Sequence, residues 1–319
     1  MGVLGILAAR ARYLGTMRVV SLLPSATELL VEIGGAELLV GRSHECDFPP
    51  SLGHLPVLTK ARTHGGDSAA IDAEVSASLA SGQSLYELDE RLLADLAPDV
   101  ILTQDLCAVC SIDLRSVERI AASLPSKPRI LSLDPKTVFD VFDDLLKVGE
   151  AVGRADAAER AMVALRARYW SAVDFVNPYV PGPEVLFLEW CDPPFVGGHW
   201  TPGLIEAAGG RHSLNKLGAK SRRVSPEEIL EAAPERIIVC PCGFDLARTR
   251  VDFTALEKTR WWPLLPAVLD SPRRSIALVD GNQMFNRPGP RLVDAFEWLV
   301  GWLNLRDELI PQGFPVEYR

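Results

Sequence analysis

The sequence predicts an α/β protein of two Rossmann-like lobes, each a parallel sheet covered by helices, joined by a long rigid α-helix with a ligand cleft between the lobes. Three observations predict it. Apolar strand-like runs alternate with amphipathic helix-like segments from Arg18 to Leu133, the same order of elements restarts at Glu184, and the stretch between, Thr137 to Val176, is helical and almost free of turn residues. A length of 319 residues suits two domains, and 48% hydrophobic with 24% charged residues excludes disordered and collagen-like chains.

In order, Arg18 to Leu23 reads as the first strand, and Ser25 and Glu28 have capping-box spacing for a helix that stops at Gly34-Gly35. Leu38 to Gly41 is the next strand, Leu88 to Leu96 a helix ending at Pro98, and Val100 to Thr103 and Ile130 to Leu133 further strands. Two helical stretches, 137–152 and 155–176, meet at Gly153. The second lobe repeats the plan. Val185 to Leu188 is a strand, the helix around Leu204 to Ala208 stops at Gly209-Gly210, and Ser225 to Pro234 leading into Ile237-Ile238-Val239 mirrors Asp89 to Pro98 leading into Val100-Ile101-Leu102. Ser275 to Val279 with the helix Leu292 to Leu303 closes the lobe. The division is therefore residues 1–17 as an N-terminal extension, 18–135 as the first lobe with an inserted segment 68–86, 136–177 as a helical spine, and 178–319 as the second lobe.

A net charge of −9 offers no field to condense on phosphate backbone, so nucleic acid is not an expected partner. No apolar run approaches the roughly 20 residues of a membrane span. Arg10 and Arg12 follow the apolar run Val3 to Ala9 instead of preceding it, an order that favours the cytoplasm over export to the periplasm. No P-loop, dinucleotide fingerprint, nucleophile elbow or H-E-x-x-H motif is present, so an enzyme is not expected.

Ligands of open parallel sheets bind beyond the carboxyl ends of the strands, where helix N-termini also point. The cysteines fall there: Cys46, the pair Cys107 and Cys110, Cys191, and the pair Cys240 and Cys242. Thiolates at C-x-x-C spacing chelate a soft metal from one loop, which makes Cys46, Cys107 and Cys110 with His44 a candidate site for zinc or an iron-sulfur cluster. The competing reading is packed loop thiols or a C-x-x-C disulfide. The strand-to-helix loop Glu189 to Trp200 is dense in aromatic residues. Trp190, Phe195 and Trp200 offer flat apolar surface for a planar or macrocyclic ligand, with Asp192 and His199 as polar contacts; a mini-core sealing the loop competes for Trp190, and a helix staple for Trp200. Asp280 to Arg291 adds Phe285 and Arg287, while Pro288-Gly289-Pro290 starts the next helix and Arg291, opposing its dipole, is expected in a salt bridge. Ser25, at the first helix N-terminus, completes the candidate ligand set.

These residues together resemble the helical-backbone (class III) periplasmic-binding-protein family, which includes cobalamin and iron-siderophore binders, and are most similar to its putative cobalamin-binding branch. The resemblance runs from Met17 to the C-terminal helix. It is carried by Arg18 to Leu29, Gly41, Asp47-Phe48-Pro49, Pro98 to Ile101, Val224 to Glu227 and Pro288 to Arg291. It implies a substrate-binding protein with a corrinoid (cobalamin-like) or other metal-chelate between the lobes, working with an ABC permease. In that family each lobe docks through one exposed glutamate; Glu227 matches the second, and the first position falls at Arg91. The alternative from another class is a cysteine-ligated metal or iron-sulfur protein with a metal-handling or redox role; a third is an interaction scaffold that binds neither.

Overall fold

The structure, a computed structural model, describes residues 16–62, 65–81, 84–105, 112–269 and 274–319. In the first lobe, β1 (Val19–Ser21) leads into α1 (Pro24–Glu32) and β2 (Leu39–Arg42). A hairpin follows, β3 (Thr59–Ala61) and β4 (Tyr86–Leu88), with α2 (Ser68–Ala80) between its strands. Next come α3 (Glu90–Leu96), β5 (Val100–Gln104), α4 (Leu114–Ser123) and β6 (Arg129–Leu133). The sheet order is β2-β1-β5-β6, all parallel, as helical crossovers require.

After α5 (Val138–Ala151) and α6 (Ala155–Val173), the second lobe opens with β7 (Val185–Cys191), β8 (Pro194–Val196) and α7 (Thr201–Ala207). It continues through β9 (Arg222–Arg223), α8 (Pro226–Ala232), β10 (Arg236–Val239), α9 (Leu246–Leu256), α10 (Pro266–Leu269), β11 (Ile276–Val279), α11 (Leu292–Leu303) and β12 (Val316–Tyr318). The sheet order is β12-β11-β10-β7-β8-β9, parallel in its centre and antiparallel at both margins.

The internal repeat is visible in backbone detail. Gly34 and Gly209 both take positive φ just past α1 and α7, where glycine avoids the Cβ penalty. Asp89 and Ser225 cap α3 and α8 through their side chains, and both helices end on a left-handed alanine, Ala97 and Ala233, ahead of a proline that cannot continue the helix.

Two local expectations need correction, the first-helix capping box and the end of the first strand of the second lobe. The first helix has no Ser25–Glu28 capping box. Pro24 lacks an N–H and sits in the first turn, so Leu23 becomes the extended N-cap and Ser25 and Glu28 turn inward. The first strand of the second lobe, β7, does not end at Leu188 but runs on to Cys191 and folds back as β8, so the aromatic stretch is a β-hairpin and Cys191 lies within a strand. The spine is two helices that turn at Gly153, φ +72°, the residue where the two helical stretches of the sequence meet; α6 packs against α11 of the second lobe and α5 against α1. The inserted segment forms a strand partner and a helix of its own.

One apolar core runs continuously from β1, α1 and α5 through Leu165, Tyr169 and Ala172 of α6 to β7 and α11. Two smaller clusters fill the other faces of the two sheets. Tyr169, 4% exposed, stacks on Phe296 with ring centroids 4.3 Å apart. At the surface, Arg168 reaches from α6 to Asp294 at 2.6 Å and Glu297 at 2.5 Å. Because the spine holds both lobes through this seam, Tyr169→Ala should lower the unfolding free energy by about 3–5 kcal/mol, the cost of deleting a buried aromatic side chain. Urea unfolding of the variant and wild type checks it.

Candidate ligand cleft

The carboxyl ends of the two central sheets converge on one small cavity of about 80 Å³. Leu23 to Ser25 follow β1, Glu45 follows β2, and Gln104 ends β5; facing them, Cys242 and Gly243 follow β10, and Gly281, Asn282 and Asn286 to Pro288 follow β11. This is where strand-to-helix loops gather in open parallel sheets. A larger open groove of about 580 Å³ lies between the end of α6 and Glu206 to Gly210, at the amino ends of the second sheet.

A charged network forms the cavity floor and crosses between the lobes. Glu28, 4% exposed, receives Arg291 at 2.6 and 2.9 Å and Arg287 at 3.3 Å. Arg287, 7% exposed, also donates to Asp47 at 2.6 Å, to the Asn282 carbonyl oxygen at 2.9 Å and to the Glu45 backbone carbonyl at 3.3 Å. Asn282 donates in turn to Asp47 at 2.8 Å, and the Arg291 guanidinium lies 4.0 Å above the Phe48 ring. Burial alone would raise the Asp47 carboxyl, but its hydrogen bond to Arg287 and that cation's charge hold it below the ordinary value. Burial raises the Glu45 carboxyl against the opposing pull of Arg287.

No protein-family model matches the chain. A vitamin B12-binding protein of Photorhabdus laumondii is 25% identical over 295 residues, 92% of this chain and 90% of the relative. One of Pectobacterium atrosepticum is 24% identical over 307 residues, 94% of this chain and 92% of the relative. Among solved structures, the periplasmic vitamin B12 binding protein of Vibrio cholerae aligns with a TM-score of 0.65 at 18% identity, over 91% of this chain and 98% of that one. A periplasmic heme-binding protein from Roseiflexus sp. RS-1 aligns with a TM-score of 0.68 at 21% identity, over 92% of this chain and all of that one, 100%. The chain has the helical-backbone periplasmic-binding-protein fold.

Within this fold, Ser25 and Arg287 line the cavity. Arg287 already gives both of its terminal nitrogens to protein acceptors, two bonds from each, so it serves first as a cross-lobe clamp. Trp200 and Phe285 are corrected from cleft surface to core of the second lobe. Trp200 is 5% exposed and its indole N–H donates to the Phe285 carbonyl at 2.7 Å, while the Phe285 ring, 1% exposed, packs edge-on against Phe187 and Trp298. Trp190 is half-buried on β7, its ring 5.1 Å from Phe244, and Phe195 lies on β8 beneath Arg223. Asp192 is exposed at the hairpin turn. His199 stacks beside Trp200 with a buried Nδ1 that finds no partner among the described residues, and burial lowers its pKa. Glu227 is exposed in the first turn of α8, and Arg91 is exposed at the matching position of α3.

The cysteine-metal alternative gains no support. Cys46 is 1% exposed, hydrogen-bonded with Thr27 at 3.1 Å and Ser43 at 3.2 Å, and burial raises its thiol pKa, which suits a packed thiol better than a thiolate ligand. His44 bonds Thr59 through Nδ1 at 2.7 Å and packs near Tyr86. Cys107 and Cys110 lie outside the described residues, and among the described residues no three His, Cys, Asp or Glu side chains are placed to share a metal. The relatives are named for binding, which agrees with a chain that is not an enzyme. The cytoplasmic location expected from the order of charges around Val3 to Ala9 is also corrected. Several solved proteins sharing this fold are named as periplasmic, and two arginines behind a short apolar run are too weak a signal to outweigh them.

The sequence missed Glu28, Asp47 and Asn282 as the cross-lobe network. Glu28 was concealed by its capping-box spacing, and no local pattern announces a partner more than 230 residues away. Since the folded Asp47 pKa lies below the unfolded value of about 3.9, the clamp stabilises the protein above that pH and the contribution is lost as pH falls through the folded value. Asp47→Ala should therefore melt earlier than wild type at pH 7, and the gap should narrow progressively as the pH is lowered below the unfolded value of about 3.9 in thermal scans.

Proposed function

We propose that this chain is the substrate-binding protein of an ABC-type importer and carries a metal tetrapyrrole, a corrinoid such as cobalamin first, between its lobes. The observation that carries this reading is the match to vitamin B12-binding proteins along 92% of the chain, laid on a cleft built from the carboxyl ends of both sheets. The heme-binding neighbours of the same fold make heme the competing cargo.

The physical demands agree. Ligand sites of drug-sized molecules occupy about 300–1,000 Å³, several times the cavity on the floor, so a macrocycle must take its room above Ser25, Glu45 and Gly243 and not within the clamp. Trp190 and Phe195 offer aromatic surface on the second-lobe side, and Asp192 and His199 polar groups at the same hairpin. Glu227, exposed in the first turn of α8, is the residue assigned to permease docking, with Arg91 at the matching exposed position of the first lobe.

Hydroxocobalamin and hemin, titrated separately and followed by visible absorption, distinguish the cargoes. The corrinoid should saturate at one per chain and, at 100 times its Kd, add about 2.7 kcal/mol to stability as a rise in Tm. Cys242→Trp, which fills the cavity wall, should weaken uptake by about tenfold or more with unchanged circular dichroism. Saturation by hemin alone reassigns the cargo to heme, and uptake of neither sinks the proposal.

A further inference from the structure

Residues 65–81 of the inserted segment do not line the cavity, yet they bond across from the first lobe to the second. The segment leaves the first lobe within the β3–β4 hairpin, and its first helical turn is held by the second lobe. Ser68, 3% exposed, gives its hydroxyl to the carboxylate of Asp252, 5% exposed, on α9. The Trp190 indole N–H donates to the Ser68 carbonyl at 3.2 Å. Arg248, also on α9, donates to the Gly66 carbonyl and lays its guanidinium 4.8 Å from the Phe244 ring. One turn further, Asp72 meets Arg223 at 3.5 Å.

Both fastenings stand beside the cavity. At the base, the Tyr86 hydroxyl donates to the cavity-lining Glu45 at 3.4 Å. At the far side, Trp190 and Arg248 both pack on Phe244, which follows cavity-lining Gly243 and whose carbonyl accepts the Asn282 N–H at 3.0 Å. The segment thus crosses from the Glu45 side of the cleft to the Phe244 side, over the space a macrocycle needs.

These attachments to the second lobe are polar and lie toward the N-terminal end of the segment, from Gly66 to Asp72. Ser68 is the only fully buried residue of α2; Ile71 and Val75, one turn apart, are half-buried, and the rest of its apolar side chains are exposed. A helix of 13 residues is marginal alone in water, so tertiary contacts must hold it in place. Breaking the Ser68 bond leaves a buried carboxylate without one of its donors, which makes attachment at this point a cooperative event and not a gradual loosening.

We propose that residues 65–81 form a strap across the mouth of the cleft, latched to the second lobe at Ser68, and that unlatching sets the rate at which ligand enters and leaves. The strap rests on the tetrapyrrole reading above for its cargo, but not for its latch.

The test compares the full chain with Ser68→Ala and with Ser68→Ala/Asp252→Ala, which removes the stranded carboxylate as well. Deuterium uptake across 69–80 without ligand should quicken by about tenfold in both variants, as for loss of one buried hydrogen bond, with α5 and α11 unchanged. In stopped flow with hydroxocobalamin or hemin, association and dissociation should quicken together by about tenfold, leaving Kd nearly fixed. Unchanged uptake over 69–80, or unchanged rate constants in chains that bind, overturns the strap. If the wild type takes up neither chromophore, the tetrapyrrole reading fails on its own, and the exchange rates still decide whether the latch exists.

Discussion

The Glu28 carboxylate, buried between Arg287 and Arg291, ties the floor of the cleft together from both lobes. Taking such a group out of water is expensive, and removing one partner of a buried pair costs about 3–5 kcal/mol because the other charge is then stranded. The network therefore fixes a geometry more than it adds stability. It fixes α1 of the first lobe against the loop before α11 of the second. On the far side the apolar seam of α6 against α11 does the same through Tyr169 and Phe296. With both sides of the interface held, the floor is rigid, and accommodation of a large ligand falls to what lies above it.

That division explains the distribution of residue types. The floor is made of short loops with close backbone approaches. A Cβ on Gly281 would stand 2.0 Å from the Pro241 carbonyl, so nothing larger than glycine fits there. The upper walls carry the half-buried aromatic rings Trp190 and Phe244, with Arg248 against Phe244, and α2, whose one fully buried residue is Ser68, is fastened beside them. A binding protein needs this contrast: a fixed reference on which the ligand rests, and a boundary that can give way without unfolding either sheet.

Much of the architecture was legible in the sequence because it depends on local chemistry. Double glycines stop α1 and α7, Asp89 and Ser225 cap matched helices, and prolines turn both helices into strands; each of these acts within a few residues. Arg291 in a salt bridge was legible too, since its charge opposes its own helix. What failed was long-range or depended on depth. Trp200 and Phe285 share the residue chemistry of a cleft wall, and only packing against Phe187 and Trp298 shows them to be core. Cys46 has the sequence position of a ligand, but Thr27 and Ser43 enclose it. Glu28, Asp47 and the Ser68 latch all take partners from the other lobe, which no local pattern encodes.

The most direct test is a crystal structure of the chain grown with hydroxocobalamin. The account places the macrocycle between the Leu23 to Ser25 loop and the Cys242-Gly243 loop, above an intact Glu28–Arg291 pair. A macrocycle seated in the groove beside Val173 and Glu206, or one that separates Glu28 from Arg291, would contradict it.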